Sequence, residues 1–535
     1  MTDRLSREAL PEGVAAPVHP ERVGIVHLGI GAFHRAHQAV YTERAMAATG
    51  DLTWGILGVT QRSATVRDQL RPQGGVYAVL TAGDMTPPAP EPRSSSTTSL
   101  PAPARGSRDS LPGDAREPRG DEGNLVLGPQ LQVGLVGAVV DIAYPAEETG
   151  RVLAAIAAPT THVITLTITE KGYARLPGGG LDLARVRPDL DALAAESAGG
   201  AAEPAAASSA IGLLVRGIAA RHRAGGAPLT VLTCDNMVEN GRVLEGLVRE
   251  AAGAALPGAD GDGLRAYLEA QVTFPCSMVD RIVPATTAGQ RDVVERALGV
   301  RDEGLVVGEP FTQWVIEDTF AGPRPAWELA GATFTDDVAG FEQAKLRLLN
   351  GTHSLLAYAG ALAGHATIAE AVSDPVIARY ARTYLFDDAL PTLRAPQGLD
   401  LQEYGEELLR RFANPHTGHT TTQVAMDGTQ KIPFRWGGTL EDSLAAGRVP
   451  EGLAFGLASW ALFVRRRTLA AAGVSDDVAG GTGGGVDDPR AAELAALVSA
   501  GDAPHDTVRK LLDLPGLLPV SNGGLVAEVL GHVKA

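Results

Sequence analysis

The sequence predicts an α/β protein, with a mostly parallel sheet covered by helices in its N-terminal part and a mostly α-helical C-terminal part. Three observations predict this. Short β-rich runs alternate with helical segments as far as Pro284, the first run stops at a glycine turn that opens a helix, and long helical stretches dominate beyond Pro284.

The first strand is expected over residues 22–29, ending at Gly29, and residues 29–41 read as a turn opening into a helix. The second strand is expected over 54–59, so strand, helix and strand fit the length of one βαβ unit. Further buried strands are expected over 163–169 and 229–234, with helices at 152–158 and 210–222. Later helices are expected over 341–364, 374–384 and 453–472. The chain therefore divides into an α/β domain, residues 1–284, and a helical domain, residues 285–535. Residues 84–124 are rich in Pro, Ser, Arg, Asp and Gly and poor in large apolar residues, so they read as an insert that cannot bury enough surface to fold. Residues 196–209 and 480–485 read as loops.

Composition excludes several functions. A formal charge of -17 argues against nucleic acid and against an anionic membrane surface as partners. No apolar run is long enough to span a bilayer, and the N-terminal residues lack the apolar core of a secretory signal, so a cytoplasmic protein is expected. Two cysteines, Cys234 and Cys276, cannot build a four-thiolate zinc site, and no metal is expected.

A glycine turn that leads into a helix leaves backbone N–H groups and the positive dipole end free for a phosphate. Gly29 and Gly31 fit the first two places of a dinucleotide fingerprint, but His34 occupies the third. The candidate cofactor-binding residues are Gly29, Gly31, Ala32, Phe33, His34 and Arg35. A tight turn without ligand is the plain alternative. The acid expected after the second strand is missing, since Val59 precedes Thr60, Gln61, Arg62 and Ser63. Arg62 could face a 2′-phosphate or be an ordinary solvated arginine, so both NAD and NADP stay open.

Lys345, Asn350 and His353 sit inside a strongly apolar helical run, where uncompensated polar groups are costly. On an ideal helix Lys345 and His353 lie about 80° apart and Asn350 about 140° from Lys345, so spacing alone does not put them on one face. Either a break at Asn350 and Gly351 or the length of the lysine chain has to bring them together. The bland alternative is a capping Asn, a core His and a snorkelling Lys. Two further segments are polar where apolar residues are expected. Cys234, Asp235 and Asn236 follow a strand, where open α/β sheets bind ligands. Asp280 and Arg281 form an acid–base pair within an apolar run, as a ligand contact or as a partly buried salt bridge at a domain junction.

Taken together and in order, these motifs resemble a family. They are Gly-Ile-Gly-Ala-Phe-His-Arg from Gly29, Thr-Ile-Thr-Glu-Lys-Gly-Tyr from Thr167, Cys-Asp-Asn from Cys234, Met-Val-Asp-Arg-Ile from Met278, Gln-Trp-Val-Ile-Glu-Asp from Gln313, and Lys345 with Asn350 and His353. The chain resembles the polyol-specific long-chain dehydrogenases, the mannitol dehydrogenase family, over about residues 20–470. The resemblance implies a zinc-independent NAD(P)-dependent oxidoreductase with an N-terminal Rossmann-like domain and a helical domain closing over a cleft. It implies Lys345 as proton-transfer residue, Asn236 and Asn350 as the amides that polarise the reacting oxygen, His353 as substrate-orienting residue and Glu342 as a gate for proton exchange. It puts further substrate contacts on Asp280 and Lys431, and it implies a monomer or weak oligomer.

The chemistry agrees with those roles. A hydride moves at a carbinol carbon while a proton moves on its oxygen, so a buried lysine of lowered pKa and two amide donors suffice. Lys171, Cys276 and Gln423 stand where mannitol 2-dehydrogenases tend to carry Gly, Asn and Arg, which resembles the fructuronate reductase branch. That branch implies interconversion of D-fructuronate and D-mannonate, with Lys171 or Lys431 toward the carboxylate. Lys171 could equally be a strand-end surface lysine. A hexitol or pentitol dehydrogenase is the second reading. A dinucleotide-sensing binding protein without catalysis is the third, and the intact Lys345, Asn236, Asn350 and His353 weigh against it.

Overall fold

The computed structural model describes residues 3–83, 123–199, 203–474 and 485–533. The expected insert, except Gly123 and Asn124, and residues 480–484 of the glycine-rich turn lie outside the described residues.

The strands, in chain order, are β1 (Val23–Leu28), β2 (Gly55–Val59), β3 (Tyr77–Ala82), β4 (Leu125–Gly128), β5 (Leu131–Val136), β6 (Val139–Ala143) and β7 (Val163–Leu166). They continue with β8 (Leu229–Thr233), β9 (Val272–Thr273), β10 (Ser277–Asp280), β11 (Val306–Gly308), β12 (Gln313–Glu317) and β13 (Thr333–Thr335). The main sheet has the order β6-β2-β1-β7-β8-β9, and each of its pairings is parallel. The chain runs outward from β1 through β2 to β6, then restarts at β7 on the other side of β1. Strand order therefore reverses between β1 and β7, which is where dinucleotides bind in doubly wound sheets. Helices cover both faces, and β2, β7 and β8 are buried at every residue, so these strands read as continuous apolar runs rather than alternating ones.

Two smaller sheets were not foreseen. One has the order β11-β3-β5-β4, and the other, β10-β12-β13, lies directly after the main sheet. Their strands are only three to six residues long, too short to show a period against the neighbouring loops. From Val338 onward the described chain is helical. The helix Glu451–Ala471 is apolar on nearly every side and buries Leu453, Leu457, Trp460 and Val464, so it runs through the core of this half. Tyr358, Tyr384 and Trp436 pack in the same core. No helix among the described residues is long and apolar enough to cross a membrane.

The stretch expected as one helix over 341–364 differs in one respect. The helix Val338–Ala344 and the helix Gly351–Ala363 are joined by a π-helical turn, Lys345–Asn350. The chain does not break at Gly351, which continues the helix.

Candidate active site

The turn after β1 has the shape a dinucleotide needs. Gly29 has φ +102°, and a Cβ there would lie 2.1 Å from the Thr167 carbonyl oxygen, so only glycine fits between the ends of β1 and β7. Gly31 opens the helix Ala32–Ala36, and a Cβ there would meet nothing closer than 3.7 Å. A cavity of about 140 Å³ lies beyond the ends of β1 and β2, lined by Leu28, Val59, Thr60, Arg62, Ser208 and Ser209 among others. These features fit a bound dinucleotide. The side chain of His34 does not face that turn, whereas Arg35 braces it, its Nε donating to the Gly31 carbonyl at 3.2 Å. His34 is fully buried and stacked on His27, with ring centroids 3.4 Å apart, and Arg35 donates to the Gly304 carbonyl at 2.5 Å beside the Tyr77 ring. Burial pushes the imidazole of His34 well below its usual range. Ala32 and Phe33 are partly exposed at the helix start.

The loops at the ends of β7 and β8 are held together by Asp235. Its carboxylate accepts from the Ile168 and Thr169 N–H groups at 2.8 and 2.9 Å and from the Tyr173 hydroxyl at 2.8 Å. Thr169 has φ +62°, a conformation that a non-glycine residue keeps only when its surroundings impose it. The motifs from Thr167 and Cys234 are thus two sides of one hydrogen-bonded unit, and that unit presents Asn236.

Lys345 is buried, and its Nζ donates to Asn236 Oδ1 at 2.7 Å and to the Val279 carbonyl at 2.5 Å. Burial lowers its pKa; the charges of Arg411 and Arg435 push the same way, while Asp280 and Glu342 oppose them. Glu342 lies one turn earlier, and one of its oxygens accepts from the Glu239 N–H at 3.4 Å. Its other oxygen has no partner among the described residues, and burial pushes this carboxyl up to about 7.

The π turn explains how Asn350 can serve with Lys345. An i→i+5 turn brings the residue five positions on, the sixth of the turn, toward the side of the first, so Asn350 comes round toward Lys345 without a break. The carbonyls of this stretch are taken up by side chains. Tyr384 donates to Arg347 at 2.7 Å, Trp436 to Gly351 at 3.0 Å and Arg435 to Asn350 at 3.3 Å. Gly351 is required by contact, since a Cβ there would lie 2.0 Å from the Tyr384 hydroxyl.

The partner of Asp280 is Arg411, from a distant helix. Arg411 donates to Asp280 at 2.7 Å and grips Glu309 through two bonds of 3.0 and 2.8 Å, and all three side chains are buried. Arg281 instead donates to the carbonyls of Glu309 and Ala36. Arg411 comes from the helix Leu401–Phe412, whereas Asp280 ends β10 and Glu309 directly follows β11, so the ion cluster ties the helical part to the sheets.

His353 stacks on His419 with centroids 5.5 Å apart, and its Nε2 has no partner among the described residues. Burial and the charges of Arg435, Arg411 and Lys431 depress its pKa, which leaves it neutral. Lys431 is half-buried with its Nζ 3.4 Å from the Val424 carbonyl and 3.9 Å from Asp427. Lys171 is exposed on the short 3₁₀ turn Glu170–Tyr173 and, among the described residues, makes no hydrogen bond to the Lys345 cluster. The structure therefore gathers Lys345, Asn236, Glu342 and Asp280, sets His353 and Lys431 together near them, and leaves Lys171 at the surface. Arg411, Glu309 and Arg435 escaped the sequence reading.

Residues 128–329 match the mannitol dehydrogenase Rossmann domain and residues 337–511 the mannitol dehydrogenase C-terminal domain. The chain is 37% identical to D-mannonate oxidoreductase of Escherichia coli (strain K12), over 92% of this chain and 88% of that one. It also superposes on a substrate-free D-sorbitol dehydrogenase with TM-score 0.79 at 28% identity, covering 99% of this chain and 97% of that one. The ternary complex of Pseudomonas fluorescens mannitol 2-dehydrogenase with NAD and D-mannitol matches with TM-score 0.72 at 29% identity, covering 99% and 96%. The chain belongs to the mannitol dehydrogenase family.

Proposed function

We propose that this member of the mannitol dehydrogenase family, an NAD-dependent oxidoreductase acting on CH–OH groups, interconverts D-fructuronate and D-mannonate. The observation that carries the reading is Lys345, buried and bonded to Asn236, with the Arg435 guanidinium close by and paired with no carboxylate among the described residues. The similarity to D-mannonate oxidoreductase supports the same substrate pair.

In this reading the Gly29 turn and the cavity beyond β1 and β2 hold the cofactor, which supplies or accepts the hydride. Asn236 and Asn350 hold the reacting oxygen between their amides. During reduction the Lys345 ammonium gives its proton to that oxygen; during oxidation the neutral amine takes it back. Burial lowers the Lys345 pKa, so the amine serves as base at lower pH than an ordinary lysine while its ammonium still serves as acid. Glu342, with a carboxyl that ionises near 7, passes the proton between Lys345 and solvent. Asp280 and His353 hold the substrate hydroxyls, and Lys431 draws the carboxylate.

The test is nicotinamide absorbance with the purified chain, offering D-fructuronate, D-fructose and D-xylulose with NADH and then NADPH. Turnover of D-fructuronate above the two neutral ketoses is expected, and preference for D-fructose would move the chain to the mannitol branch. Lys345→Ala should lower turnover by about 10²–10⁴-fold, and unchanged turnover would sink the mechanism.

A further inference from the structure

We infer that Arg435 is the residue that binds the substrate carboxylate and thereby separates a sugar acid from a neutral sugar. The inference rests on the sugar-acid reading above and names the group that carries it out.

Arg435 stands on the helix Gly428–Ala445, one turn beyond Lys431, so the two side chains share a face. Its Nη1 donates to the Ser354 hydroxyl at 2.8 Å and to the Asn350 carbonyl at 3.3 Å. Those two residues flank His353, which places the guanidinium over the segment that carries the proposed amide and the orienting histidine. Both partners are neutral. Among the described residues no carboxylate pairs with Arg435, and its Nε and Nη2 make no hydrogen bond to protein.

Other buried arginines of this chain are differently placed. Arg411 holds two carboxylates, Arg216 holds Asp189 and Glu196, and Arg221 fills its fork with four backbone carbonyls. Arg435 keeps one whole edge of its fork open and part of its surface exposed. That edge is the planar pair of donors that a carboxylate accepts bidentately. Two neighbours have unpartnered ring nitrogens, His353 Nε2 and His419 Nδ1. Lys431 differs, with Asp427 at 3.9 Å and the charges of Asp488 and Asp487 acting on it. A desolvated cation without a counter-ion is costly unless a ligand supplies the charge. Burial also holds the Arg435 guanidinium below its usual pKa, and only the Tyr358 and Tyr384 hydroxyls oppose that shift.

The plain rival is a brace: Arg435 could serve the π turn alone through the Asn350 carbonyl. The experiment compares kcat/KM for D-fructuronate and D-fructose in the wild type, Arg435→Gln and Arg435→Lys. The wild type should favour D-fructuronate. Arg435→Gln should lower that preference by about 10²-fold, mostly through KM for the acid. Arg435→Lys keeps the charge without the fork and should fall between; it also serves if the glutamine variant fails to fold. A brace would weaken both substrates alike, so an unchanged ratio in both variants overturns the inference and leaves the sugar-acid reading standing. A wild type that does not favour D-fructuronate defeats the sugar-acid reading, and the inference falls with it.

Discussion

Arg411→Met tests whether the ion cluster at the junction supports the site as well as the fold. The side chains of Arg411, Asp280 and Glu309 are 4%, 7% and 1% exposed, so removal of the guanidinium strands two carboxylates away from water. Breaking a buried pair of this kind costs about 3–5 kcal/mol. Two features moderate it here. Glu309 keeps the Ile282 N–H at 2.6 Å, and Asp280 keeps the field of Lys345. The low end, about 3 kcal/mol, is therefore expected, or roughly 10²-fold in the folding equilibrium. Chemical denaturation followed by tryptophan fluorescence reads it on both sides of the junction, because Trp314 and Trp327 lie beside the sheets and Trp436 and Trp460 in the helical core. Glu309→Gln combined with Arg411→Met should cost less than the sum of the two single changes, since one stranded charge disappears. The second readout is the pH profile. Arg411 lowers the pKa of Lys345 and Asp280 raises it, so loss of Arg411 should move the oxidation profile to higher pH. An unchanged unfolding midpoint together with an unchanged profile would refute the reasoning.

Lys345 also sets the pH dependence of the wild type. Oxidation needs the neutral amine, so its rate should rise as pH passes upward through a pKa below the ordinary 10.5, whereas reduction needs the ammonium and should fall through the same value. Initial rates in both directions across pH check it, and two profiles with the same slope would contradict it. Gly351→Ala drives a Cβ to within 2.0 Å of the Tyr384 hydroxyl and should cut kcat at least tenfold by displacing the π turn; Tyr384→Phe in the same chain should restore part of it.

The main sheet was legible because β1, β2, β7 and β8 are buried on both faces and read as unbroken apolar runs. Lys345 drew notice because it stands inside an apolar helical run, and Asn236 because it follows the end of an apolar strand. The Arg411 cluster was not, since Asp280, Glu309 and Arg411 are far apart in sequence and meet only when the two halves of the chain close on each other. A local signal did exist. Leu401, Tyr404, Leu408, Arg411 and Phe412 lie along the buried stripe of one helix, so Arg411 occupies a place where a leucine would be expected. An arginine on an apolar stripe needs a buried acid, and the search for one would have led to Asp280. The π turn left no such trace, because the residues from Lys345 to Asn350 suit an α-helix equally well.

The placement of charge across the junction suggests how substrate binding and closure are linked. Lys345, from the helical half, is held by Asn236 and the Val279 carbonyl of the sheet half. Arg411, also from the helical half, is held by Asp280 and Glu309 of the sheet half. Each of these cations is matched only when the halves are closed, so each makes closure favourable without any ligand. Arg435 breaks that rule, because among the described residues no acid pairs with it, whereas Lys431 keeps Asp427 within the helical half. On the proposed reading the Arg435 charge is left for the ligand to satisfy. A carboxylate would complete what the fold leaves open, and a neutral polyol of the same length would not. On the proposed reading, discrimination in this site would come from a missing partner in the protein, since the cost of leaving that cation unmatched would fall on the neutral substrate alone.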